Sequence, residues 1–297
     1  MGEVYRARDT QLNREVALKV LTRGATADAE QLGRFTREAQ TAALLNHPNI
    51  VAVYDIGSHD GVPFVVSELL RGKTLRAELR DGALPMTVAV AFALEIARGL
   101  IAAHQLGVVH RDLKPENVFI TLDERVKILD FGLAKSRNDG RGFPQPSSSI
   151  STAPGTLLGT VGYMSPEQAR ARPADHRSDL FSLGVILYEM IAGVAPFQAD
   201  SAVETLHAIL KEDRAVFRHR DGKVPVELQR VIRHCLEKDP DARFQSARDL
   251  AFTLELALES ARHNGVRSTC RHDPSSRKRP ASGSPKRSLL AALFGLS

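Results

Sequence analysis

Apolar and polar positions alternate over residues 3 to 8 and again over 14 to 21, on either side of the polar turn Thr10-Gln11-Leu12-Asn13. A period of two interrupted by such a turn predicts an antiparallel hairpin. In the second run the alternation puts Val16, Leu18 and Val20 on one side and Ala17 with Lys19 on the other. A lone lysine on a strand ordinarily marks a solvated face. Residues 28 to 45 change to helical spacing, with Leu32, Phe35, Ala39, Ala42 and Ala43 inward and Glu38 beside the apolar stripe. His47-Pro48-Asn49 ends that helix, because a proline disfavours helical backbone in the residue before it. Two more strand-like runs, 50 to 56 and 62 to 67, meet around Gly57 to Gly61. The pattern thus predicts a small antiparallel sheet with one helix over residues 1–70.

From Pro85 onward the spacing predicts helices over 86 to 105, 176 to 192, 199 to 211, 226 to 237 and 246 to 260, with short strands near 118 to 129. The expectation is an α+β chain of two lobes, 1–70 and 71–261, meeting at Leu69-Leu70-Arg71-Gly72. A cleft between lobes is a common place for a ligand. Residues 136 to 160 form a long stretch rich in Gly, Pro, Ser and Thr inside an otherwise compact body. Such a loop is either functional or a mobile insertion. No internal repeat is visible.

Composition narrows the class without choosing a function. Hydrophobic residues at 43% and charged residues at 25% are near globular averages. The net charge of +5 is concentrated at the end: residues 262–297 carry eight Lys/Arg and one Asp, leaving 32 basic and 34 acidic residues before them. This Ser/Pro-rich segment is expected to be a disordered, solvated tail, with contact to an anionic surface as the sharper alternative. Cys235 and Cys270 form no CxxC pair, so neither a disulfide framework nor a zinc site is suggested. The opening MGEVYRARD lacks the apolar core of a signal peptide, and no apolar run approaches the roughly 20 residues of a spanning helix. A cytoplasmic location is expected.

Chemistry enters with His110-Arg111-Asp112-Leu113-Lys114-Pro115-Glu116-Asn117, a match to HRDxxxxN. Asp130-Phe131-Gly132 follows, preceded by the apolar run Val126 to Leu129, and Val16-Ala17-Leu18-Lys19 stands upstream. In this order and strand context the chain resembles the protein kinase family, specifically the bacterial serine/threonine kinases of eukaryotic type, over residues 2 to about 260. The resemblance implies the two-lobed kinase fold, with a small antiparallel sheet and one helix above a mainly helical lobe. It also implies ATP and Mg2+ as cofactors and protein Ser/Thr hydroxyls as substrates.

Residue by residue, the resemblance makes Asp112 the base that accepts or orients the substrate hydroxyl's proton. Lys114 neutralises the moving phosphoryl, and Asn117 and Asp130 hold magnesium. Lys19 grips the α and β phosphates and pairs with Glu38. Gly2 and Val4 correspond to the end of the glycine-rich loop; its first two glycines and the preceding strand are missing, so a start upstream of Met1 is expected. Adenine is expected between Val4 and Ala17 above and Phe119 below, with backbone groups of Glu68 to Leu70 reading its edge. Ser67 stands before them where larger residues are common. Ser165-Pro166-Glu167 takes the place of APE, with Glu167 pairing Arg243, and Asp179 anchors the catalytic loop.

Lys114 and Gly159-Thr160 match the serine/threonine pattern rather than the tyrosine one. Arg111 beside Asp112 implies regulation by phosphate on the 136–160 loop, where Ser147, Ser148, Ser149, Ser151, Thr152 and Thr156 are candidates. Self-association for trans-autophosphorylation belongs to the same expectation. Two other classes stay open. The incomplete glycine loop admits a catalytically impaired pseudokinase scaffold. The tail's Arg277-Lys278-Arg279 and Lys286-Arg287 admit docking on anionic membrane, while the scarcity of aromatics there argues against a specific nucleic-acid partner.

Overall fold

A computed structural model of the chain describes residues 2–21, 39–131, 161–212 and 224–269. Strand β1 (Gly2–Asp9) pairs antiparallel with β2 (Arg14–Leu21). Asp9 closes the turn: its carboxylate accepts the backbone N–H groups of Gln11 and Leu12 at 3.0 and 3.1 Å. Asn13 takes a left-handed φ of 52°, which asparagine tolerates better than most residues. Strands β3 (Val53–His59) and β4 (Val62–Glu68) form a second hairpin, and the sheet order is β1-β2-β4-β3. The sequence pattern ended β3 at residue 56. The strand runs on because Asp60 and Gly61, at φ 50° and 75°, make the tight two-residue turn whose twist suits a hairpin. Ile50, expected to open that strand, instead bridges to Ile128 outside this sheet.

The register sets Lys19 opposite Val65, so the two share a face. Val65 packs with Ala39, Val53 and Ile56. Ala39 belongs to a helical stretch at 39–43. Ala43, expected inward, is exposed. Leu44 and Leu45 bond three residues back, to Thr41 and Ala42, and this tighter turn brings Leu45 into the core instead. Leu32, Phe35 and Glu38, expected earlier on the same helix, lie outside the described residues.

Past Leu69-Leu70-Arg71 comes β5 (Gly72–Thr74), which joins β6 (Val118–Thr121) and β7 (Val126–Ile128) in a second antiparallel sheet. Gly72 sits at φ 146°, and a Cβ there would lie 2.0 Å from the Ile120 carbonyl oxygen, so only glycine fits. Helix α1 (Leu75–Glu78) is capped by the Thr74 hydroxyl, which accepts the Ala77 N–H at 3.2 Å. The helical body follows: α2 (Met86–Gln105), α3 (Pro166–Ala169), α4 (His176–Ala192), α5 (Ala202–Lys211), α6 (Val226–Cys235) and α7 (Ala247–Thr269). Helix α5 starts at 202 because Ser201 and Glu204 form a reciprocal capping box. Helix α7 passes residue 260, where the sequence reading stopped it; no proline intervenes before Pro274.

Helix α4 is the axis of this body. Every residue from Ser178 to Ile191 is buried, the pattern of a helix surrounded on all sides. Each fully buried Leu, Ile or Phe along it contributes about 1.5–3 kcal/mol. Helix α2 is, by length and composition alone, long and apolar enough to cross a membrane. That corrects the expectation that no apolar run nears this length. Half of its residues are buried inside the protein, because α2 packs against α4, α7 and β7.

At Gly184 a Cβ would stand 2.4 Å from the Cys235 Cβ, so α4 and α6 touch there almost backbone to backbone. Burial pushes the Cys235 thiol up to about 12, which leaves it protonated and inert. Gly184→Ala gains about 1 kcal/mol of helix propensity. Overpacking costs about 1–3 kcal/mol. The expected net result is a lower urea midpoint at unchanged slope, and an unchanged or higher midpoint would show that the two helices can part.

Candidate active site

Asp179, fully buried in the first turn of α4, organises the loop that carries HRDxxxxN. Its Oδ2 accepts the His110 backbone N–H at 2.8 Å, and its Oδ1 accepts that of Arg111 at 2.8 Å. The ring of His104, at the end of α2, reaches the same Oδ2 at 2.9 Å. Arg111 is thereby held at a left-handed φ of 64°, a conformation that costs a non-glycine residue on the order of 1–3 kcal/mol. Gln168 of α3 grips the turn from the other side, its amide donating to the Arg111 carbonyl at 2.7 Å.

The His110 ring points inward. Its Nδ1 accepts the Asp112 N–H at 3.3 Å and its Nε2 lies 2.9 Å from the Leu129 carbonyl oxygen. Together these contacts require the tautomer with hydrogen on Nε2. The ring also meets Phe131 edge to face at 4.8 Å. His110 therefore joins the HRDxxxxN loop to the segment Leu129–Phe131 that follows β7.

Around Asp112 the polar groups converge. Lys114 Nζ lies 2.8 Å from Asp112 Oδ2, and the Asn117 amide donates to the Asp112 carbonyl at 2.8 Å and to Oδ2 at 3.2 Å. The Leu129 N–H donates to the Asn117 carbonyl at 2.8 Å, which sets Asp130 beside this loop. Asp130, at φ 54°, turns its carboxylate to Lys19 on β2, and Lys19 Nζ lies 2.7 Å from both oxygens. The upper sheet and the helical body thus meet through a pair 111 residues apart in sequence. The expected pairing of Lys19 with Glu38 falls outside the described residues, as do Gly132, Thr160, the candidate sites Ser147 to Thr156, Cys270 and the tail beyond it; residues 262–269, expected to open a disordered tail, instead continue helix α7.

The model of the protein kinase domain matches residues 1–252. The chain belongs to the protein kinase domain family. Among curated relatives, the serine/threonine-protein kinase PknB of Mycobacterium leprae is 40% identical over 259 residues, covering 86% of this chain and 40% of its own length. The serine/threonine-protein kinase PrkC of Bacillus subtilis is 36% identical over 274 residues, covering 92% of this chain and 41% of its own length. A probable serine/threonine-protein kinase of Clostridium perfringens is 39% identical over 256 residues, covering 86% of this chain and 36% of its own length. The chain therefore spans about two fifths of the relatives it matches.

Elsewhere in this kinase domain, Ser165 and Gln168 form a capping box that opens α3. Glu167 next to it receives both terminal nitrogens of Arg243, at 2.9 and 2.8 Å, and the Ser178 hydroxyl at 2.5 Å. Burial alone would raise the Glu167 carboxyl. The hydrogen bonds from Arg243 and Ser178 outweigh it and hold the group below its ordinary value.

The residues expected around the nucleotide are spread over both sheets. Val4 pairs with Lys19 across β1 and β2 and is largely exposed; Gly2 lies at the start of β1, and Ala17 pairs with Ser67. Phe119 lies on β6 opposite Thr74, and Leu70 is half-buried in the connection. Glu68 does more than its backbone role suggested: its Oε1 accepts the Ala52 N–H at 2.7 Å and lies 2.6 Å from Lys127 Nζ. A parallel tie sits behind it. The Asn49 side chain donates to Glu95 Oε2 at 2.8 Å and to the Val126 carbonyl at 2.9 Å.

Sequence reasoning missed His104, Gln168, Lys127 and the Asn49–Glu95 pair. Each acts on a partner 31 or more residues away, and nothing in local spacing announces such a contact.

Proposed function

We propose that this kinase domain transfers the γ-phosphoryl group of ATP to serine or threonine hydroxyls of proteins. The observation that carries this reading is the joining of Lys19 to Asp130 beside the Asp112, Lys114 and Asn117 group. Two ammoniums, two carboxylates and an amide from separate segments are what phosphoryl transfer needs, since its demands are positioning and charge neutralisation. The relatives' names carry the same activity and give the scaffold alternative no support.

Asp112 serves as the base, its Oδ2 fixed by Lys114 and Asn117. Lys114 stays close enough to shield the phosphoryl in flight. Lys19 neutralises the α and β phosphates. The donor set suits magnesium: Asn117 commits its amide nitrogen to Asp112 and leaves the amide oxygen as a hard ligand, and Asp130 offers a carboxylate that is 39% exposed. When bound, the ion would shield the triphosphate charge. Its supply together with ATP favours a cytoplasmic setting for this domain.

The test is transfer of label from γ-labelled ATP to a protein substrate in the presence of magnesium. Phosphoserine or phosphothreonine in the hydrolysate is expected; absence of transfer, or phosphotyrosine alone, would sink the proposal. Mass spectrometry of the incubated protein reads whether Ser147 to Thr156 become modified through self-association. Co-sedimentation with anionic vesicles at low salt reads whether the tail docks. Ser67, opposite Ala17, leaves room behind adenine. ATP analogues with a bulky N6 group are therefore expected to bind wild type more tightly than Ser67→Met, and equal affinity would refute that deeper pocket.

A further inference from the structure

Four side chains beside the catalytic loop form a cluster that the reaction as described does not use. Arg76 of α1 donates through Nε to Glu116 Oε1 at 2.8 Å and through Nη1 to Glu189 Oε1 at 2.7 Å. Its Nη2 donates to the Tyr163 hydroxyl, which in turn donates to Glu189 Oε2 at 2.5 Å. Glu116 stands between Lys114 and Asn117 on the loop of Asp112, Glu189 lies near the end of α4, and Tyr163 lies three residues before α3. One guanidinium thus ties together three segments that share no local sequence.

Charge and exposure say more. A single guanidinium faces two carboxyl groups. Glu189 and Tyr163 are buried, whereas Arg76 is 29% and Glu116 42% exposed, so the cluster opens to solvent on the catalytic-loop side. Burial and the neighbouring Glu189 push the Tyr163 phenol well above its ordinary value, so it stays a neutral donor. The partners of Arg76 keep its guanidinium charged despite burial.

We propose that Arg76 is a positioning and specificity-determining residue for the protein substrate. It holds Glu116 and Tyr163 in the register in which residues 161–165 face the catalytic loop. It also fills the gap between Glu116 and Glu189, which would otherwise receive a basic side chain of the substrate. The inference rests on the kinase reading above, because it concerns how that activity meets its peptide.

Kinetics of wild type and Arg76→Ala on threonine peptides test it. Wild type reports first: if it transfers no phosphoryl, the kinase reading itself has failed. Given an active wild type, Arg76→Ala is expected to raise the peptide KM about ten- to a hundredfold through loss of charge-assisted bonds, with the KM for ATP unchanged. Millimolar guanidinium, at constant ionic strength, should restore the peptide KM, because it can re-enter the solvent-facing gap and contact both carboxyl groups.

In a peptide series carrying arginine at successive positions, the variant should gain a preference at one position that wild type lacks. An unchanged peptide KM overturns the proposal. So does a raised KM that guanidinium does not lower, since that marks a merely structural residue. If Arg76→Ala does not fold, Arg76→Lys replaces it: a lysine cannot reach three partners at once, and a folded Arg76→Lys with the wild-type peptide KM also overturns the proposal.

Discussion

Asp112→Asn is expected to lower kcat by about 10²–10⁴-fold, the range for losing a positioned general base. The substitution is nearly isosteric, and an amide oxygen at the Oδ2 position can still accept from Lys114 and Asn117, so the loop should keep its shape. What disappears is proton affinity. Nucleotide affinity should change little, because Lys19 and Asp130 are untouched. Single-turnover transfer from γ-labelled ATP, with nucleotide binding and thermal unfolding measured on the same samples, separates these quantities. A variant that transfers phosphoryl as fast as wild type would remove Asp112 from the reaction.

The second large effect concerns stability. The Arg243 side chain is completely buried. It spans Glu167, the Glu237 carbonyl at 2.7 Å and the Phe181 ring at 5.0 Å. Arg243→Ala strands the Glu167 carboxylate in the interior, and removing one partner of a buried pair costs about 3–5 kcal/mol. The urea midpoint should fall accordingly. The double variant Glu167→Leu with Arg243→Met should recover much of the loss, because a hydrophobic pair leaves no orphaned charge.

Acid adds an independent check. Glu167 has a folded-state value held below the ordinary 4.5, so its contribution is complete above pH 4.5 and lost as pH falls through the folded value. Wild-type stability should therefore drop in acid more steeply than that of Arg243→Ala. Parallel slopes would mean that Glu167 draws nothing from its partner.

The hairpin of β1 and β2, the bounds of α2 and α4 and the catalytic string were legible because each is local: alternation, helical spacing or adjacent letters. The Glu167–Arg243 pair and the Asp179 anchor were legible through resemblance alone, since their partners are about 70 residues away. The three-residue β5 left no period to read, and its glycine is dictated by the approach of Ile120. Ala43 was misplaced because the helical spacing was extended through a turn that tightens at Leu44. The roles of His104, Lys127 and Arg76 depend on contacts with distant segments, which one-dimensional spacing does not encode.

The stretch from Asn49 to Ala52 is bonded to the body through Glu95, Val126 and Ile128 and to the upper sheet through Glu68. A sheet fastened along such a seam can tip about it but cannot slide across the body without breaking several hydrogen bonds. Any tipping of the sheet would then be a rocking motion about that seam. Lys19, on the swinging side, would part from Asp130 as the sheet tips back.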